Sequence, residues 1–130
     1  MVRLPLMLET FLIPEQTVEA KGEATAIALG DAAGQRFLVS LEISRVIEQE
    51  SLSLSIWGSE DGAQWGTAPL AAFTQKFYSG AHQLMLDLTE RPAVKFLRGT
   101  WEVSRWGRGQ PRPLFVFSVS IHQLEGRATA

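Results

Sequence analysis

The chain has 130 residues, 12 Lys plus Arg against 14 Asp plus Glu, 45% apolar residues and no cysteine. That length suits one domain spanning 1–130, and a chain of this size buries roughly two-thirds of its unfolded surface, enough for a core without disulfides or zinc. The missing cysteines exclude thiol nucleophiles, thiolate metal sites and redox chemistry, the apolar share excludes a disordered chain, and a net charge of −2 argues against a nucleic-acid binder.

At the N-terminus Arg3 precedes the apolar stretch Leu4–Leu8, which Glu9 interrupts. It is too short for a signal-peptide core, and no run approaches the ~18 apolar residues of a membrane span. The expectation is a soluble cytoplasmic protein with no membrane partner. Leu4–Leu12 reads as a weak strand, Pro14–Lys21 as the one stretch able to hold a helical turn, and Ala24–Leu29 as another weak strand. Gly30–Gly34 is glycine-rich but lacks the following Lys or Ser/Thr of a phosphate loop.

From Arg36 to Val46 the alternation is clean. Phe37, Val39, Leu41 and Ile43 fall on one face, and Arg36, Ser40, Glu42 and Ser44 on the other. Leu52, Leu54 and Ile56 alternate with Ser51, Ser53 and Ser55 in the same way. His82, Leu84, Leu86 and Leu88 oppose Ala81, Gln83, Met85 and Asp87; Phe115, Phe117, Val119 and Ile121 oppose Leu114, Val116, Ser118 and Ser120. Leu70–Phe77 is a further weak strand. In Val94–Ser104 the parity is ambiguous: either a bulge at Gly99 brings Val94, Phe96, Trp101 and Val103 to one face, or Leu97, Trp101 and Val103 form the core row without one. About eight short strands predict an all-β fold, an antiparallel β-sandwich of jelly-roll type, with the Ser-rich rows facing water.

The most specific local signal is Ser59-Glu60-Asp61-Gly62-Ala63-Gln64-Trp65. Asp-Gly supplies the positive φ of a tight hairpin, Ser59 or Asp61 can satisfy turn amides, and Trp65 is expected to start the return strand. Here the chain resembles the discoidin-like, galactose-binding-like sandwiches, whose mid-domain hairpin often reads S-x-D-G-x-x-W. Phe96-Leu97-Arg98 followed by Trp101–Val103 is similar to a later strand of those domains. The resemblance covers roughly 50–120 and implies that fold and a non-catalytic binding role. The family's ligand loops are not carried over, because its N-terminal Asp-Gly…Trp segment and flanking disulfide have no counterpart.

No catalytic set emerges. His82 and Asp87 lie an odd number of residues apart on one strand and face opposite sides. His82 shares the Leu84–Leu88 row and reads as a histidine at the core margin. Glu48 and Glu50 flank a turn, where a solvated role outweighs acid–base work. No H-x-x-H or H-E-x-x-H spacing offers a zinc site, and no cofactor or metal is expected.

Charge is uneven. Residues 1–90 hold 12 acids and 5 bases, −7, whereas 91–130 hold 2 acids and 7 bases, +5. Arg105, Trp106, Arg108 and Arg112 gather in one Gly/Pro-rich stretch. Such a group can engage carboxylates, phosphates or sugars, or pair with the acidic first part of the same or a second molecule. Trp57 sits on the Ser51–Ser55 row and should face outward. The expected role is a non-catalytic module for protein interaction or assembly, such as a component of a phage-tail-like particle; the alternative is a carbohydrate-binding module using Trp57, Trp106 and Arg108.

Overall fold

Period-two alternation builds the molecule, and the strands close into two sheets because each has one apolar row to bury. The computed structural model describes residues 8–18, 20–46, 50–76, 78–105 and 115–124. Along them run β1 (Glu9–Val18), β2 (Gly22–Glu23), β3 (Ile27–Ala28), a 3-10 turn (Gly30–Ala32), β4 (Arg36–Val46), β5 (Glu50–Ser59), β6 (Ala71–Ala72), β7 (Gly80–Asp87), β8 (Phe96–Arg105) and β9 (Phe115–Gln123). Sheet A has the order β1-β9-β4-β7; sheet B has β2-β8-β5-β6, with β3 also pairing β8.

Every pairing is antiparallel, and the partners nest: β1 with β9, β2 and β3 with β8, β4 with β7, β5 with β6. Successive nested pairs go alternately to sheets A and B. That is the connectivity of a jelly roll. Among the described residues nine strands stand against the expected eight or so, because the stretch Ala24–Leu29 forms only β3 within it, while β2 lies just before it.

The core is the set of inward rows. Phe37, Val39, Leu41 and Ile43 of β4, Leu52, Leu54 and Ile56 of β5, and Phe115, Phe117, Val119 and Ile121 of β9 are all buried. Each such side chain contributes about 1.5–3 kcal/mol relative to exposure. Trp101 meets Phe117 edge-on across the two sheets, with ring centroids 5.7 Å apart, and its indole N–H donates to the Ala20 carbonyl.

Several expectations change. Pro14–Val18 is strand rather than helical turn: β1 is an edge, where proline's missing N–H costs no ladder bond, and the register shifts between Ile13 and Gln16 absorb it. Of the expected strand Leu70–Phe77, only Ala71–Ala72 and an isolated bridge from Lys76 to Leu52 form, and Phe77 lies outside the described residues. No bulge occurs at Gly99. The β5–β8 register is unbroken, so Leu97, Gly99 and Trp101 share the inward row. Nor do all outward serines face water: Ser51 and Ser59 are buried, Ser51 accepting from the Gln75 side-chain amide at 2.7 Å.

Candidate functional site

The Ser59–Trp65 segment folds onto the outer face of sheet B. The Ser59 hydroxyl oxygen accepts from the amides of Asp61 and Gly62 and donates to the Asp61 carboxylate. That carboxylate in turn accepts from the amides of Ala63 and Gln64 at 2.8 and 2.9 Å. These bonds, with the Gln64 amide foremost, hold the Asp61 carboxyl below the ordinary carboxylate range. Gly62 takes φ +80° and lies against the Phe96 ring.

Trp65 does not start a return strand. The chain runs on to β6, and the Arg98 guanidinium carbon lies over the Trp65 ring, 4.4 Å from the ring centroid. Arg98 also pairs with Glu23 of β2 at 3.4 Å. Trp57 stands opposite Arg98 in the β5–β8 ladder, half-buried on the outward row as its parity predicts, and its indole N–H donates to Thr100 Oγ1 at 3.0 Å. The result is a cluster of Trp57, Trp65, Arg98, Thr100 and Glu23 that fastens the connection after β5 to the sheet. Arg98, Glu23 and Thr100 were not singled out as site residues from sequence; Arg98 was quoted only within the resemblance.

The structure does not bring Trp57 and Arg105 together. In the backbone register Trp57 is paired with Arg98 and position 105 with position 50, seven positions along β8 and so about 23 Å away. Trp106, Arg108 and Arg112 lie outside the described residues, as does Glu48.

Of the two histidines, His82 points inward at the margin of sheet A, opposite Leu41. Burial lowers its pKa below the ordinary value, and the positive charge of Lys76 acts in the same direction. His122 lies on the outer face and places Nε2 3.2 Å from the Glu9 carboxylate. Among the described residues no three His, Asp or Glu side chains gather as metal ligands, and no helix is long and apolar enough to cross a membrane. A cleft of about 400 Å³ opens between β1 and the β2–β3 connection, lined by Phe11, Pro14, Gln16, Glu23 and Thr25 among others. A second, of about 420 Å³, lies between Lys21–Glu23 and Thr100–Glu102.

The outer face of sheet A presents a different surface. Register places Phe11, Ser120, Ser40 and Gln83 side by side in one rung, and Glu9, His122, Leu38 and Met85 in the next. Phe11 is 52% exposed and Met85 57%. They stand at opposite margins of a four-stranded floor about 14 Å across. Met85 carried a signal in its outward parity; Phe11 carried none, because the strand containing it was expected to end at Leu12.

A scan of protein-family models and a search of curated proteins returned no match for the chain.

Proposed function

We propose that the protein is a non-catalytic β-sandwich module for protein assembly, associating with copies of itself through sheet A. The observation that carries this reading is the outer face of that sheet, where two large hydrophobic side chains stand exposed beside a rung free of charge. Exposed apolar groups on a flat strand surface gain from being covered by another protein surface. A cytoplasmic setting, away from most glycans, belongs to the same reading. So does kinship with the galactose-binding-like sandwiches, supported by the meeting of the two segments that carry the resemblance: Trp65 on Arg98 and Gly62 on Phe96.

The carbohydrate reading needs Trp57, Trp106 and Arg108 free for a sugar, and of these only Trp57 lies among the described residues. In the described residues Trp57 is engaged by Thr100, and Arg98 by Trp65 and Glu23. The Arg98–Glu23 pair also answers part of the charge asymmetry within the chain itself.

Two-dimensional NMR spectra separate the readings. Raising protein concentration should shift resonances of Phe11, Leu38, Met85 and Ser120 on sheet A. Shifts confined to Trp57 and Thr100, appearing only on titration with mono- and oligosaccharides, would instead support the glycan module.

A further inference from the structure

Three of the four sheet edges are interrupted. β1 carries Pro14 and two register shifts, while β2, β3 and β6 are two residues each. Short, kinked or proline-bearing edges are how sheets avoid pairing with other chains. β7 has none of these features. It runs for eight residues, Gly80–Asp87, in unbroken register with β4, and contains no proline, no Lys and no Arg.

Two backbone hydrogen bonds fix the phase of its ladder. Leu88 N–H donates to the Gln35 carbonyl, and Leu124 N–H donates to the Arg36 carbonyl. An antiparallel ladder alternates, so His82, Leu84 and Leu86 exchange hydrogen bonds with β4. The N–H and C=O groups of Ala81, Gln83, Met85 and Asp87 point away from it. No described strand pairs with that side of β7. Such a row is satisfied by water or by another extended strand.

We propose that β7 pairs antiparallel with β7 of a second copy, about a two-fold axis at Leu84, joining two four-stranded sheets into one. This rests on the assembly reading above in taking a second copy as the partner, and adds an edge contact to the outer-face one. The edge complements itself. In this register Ala81 faces Asp87 of the second copy and Gln83 faces its Met85, and all four outward residues exchange hydrogen bonds. The one charge on the strand, Asp87, meets alanine rather than its own counterpart. Met85 and its neighbours on the outer face become continuous across the junction. A single strand pair buries less than the ~1,200 Å² typical of stable complexes, so the dimer is reversible and concentration-dependent.

The test is residue-resolved amide hydrogen exchange on the full chain at low and high protein concentration, alongside sedimentation. The amides of Ala81, Gln83, Met85 and Asp87 should exchange freely when dilute and slow by about tenfold or more when concentrated, consistent with a pairing that follows mass action. Those of His82, Leu84 and Leu86 should be protected throughout. Gln83→Pro, which removes an N–H that β4 does not use, should abolish the concentration dependence. Should that variant fail to fold, position 81 gives a second test: Ala81→Lys, placed against Asp87 of the other copy, should tighten association several-fold and Ala81→Glu loosen it. A mass that rises while the four amides stay unprotected would overturn the β7 contact and leave the assembly reading standing; a mass constant at every concentration would overturn both.

Discussion

Ile13 of sheet A reaches through the sandwich onto the backbone of Gly99 in sheet B, so that a Cβ at position 99 would lie 2.6 Å from Ile13 Cδ1. Both positions are inward-facing, and the absence of a side chain on β8 is what lets the two sheets close there. Gly99→Ala should therefore overpack the core and destabilise the fold by about 1–3 kcal/mol. Urea denaturation would report it as a lowered midpoint with an unchanged slope; an unchanged midpoint would show that the two sheets do not meet at this pair.

Gly62 answers a different constraint, its backbone rather than its surroundings. At φ +80° a β-branched residue is strained, so Gly62→Val should cost roughly 1–3 kcal/mol, read as a lower melting temperature. A neutral result would rule out the turn built by Ser59 and Asp61.

Trp65 and Arg98 should be energetically coupled. A double-mutant cycle with Trp65→Ala and Arg98→Ala should give a coupling of about 0.5–2 kcal/mol, the range for a cation over an aromatic face. Strict additivity would mean that the stack does not fasten the connection to the sheet.

His82 should make stability depend on pH. Its folded pKa lies below the ordinary 6.5 because burial and Lys76 disfavour the charged form. The unfolded chain therefore binds the proton more readily, and the contribution is fully present above about pH 6.5. It is lost as pH falls through the lowered folded value. Melting temperatures measured between pH 7.5 and 5 should fall less steeply for His82→Gln than for the parent protein; equal slopes would contradict this assignment.

Where alternation is unbroken, the strands were legible: Arg36–Val46 is β4 to the residue, because its parity depends on no distant partner. Legibility fails where tertiary contacts decide. Pro14 is allowed in β1 only because β1 became an edge, which the local pattern does not reveal. Trp65 leaves the expected hairpin for Arg98, thirty-three residues further along the chain, a pairing visible only once β8 lies beside β5. Ser51 and Ser59 sit on a polar row yet are buried, since Gln75 and the Asp61 turn bond to them. The outward place of Trp57 was legible from parity; its bond to Thr100 was not. The open edge of β7 is a property of strand order, to which sequence periodicity is blind.

Sedimentation equilibrium over a wide range of protein concentration tests the central claim most directly, with the parent chain beside Phe11→Ser and Met85→Ser. The account predicts a weight-average mass that climbs above that of the monomer for the parent, and a climb displaced to higher concentration for both variants. A parent chain that stays monomeric throughout, with tryptophan fluorescence quenched on adding sugars, would contradict it.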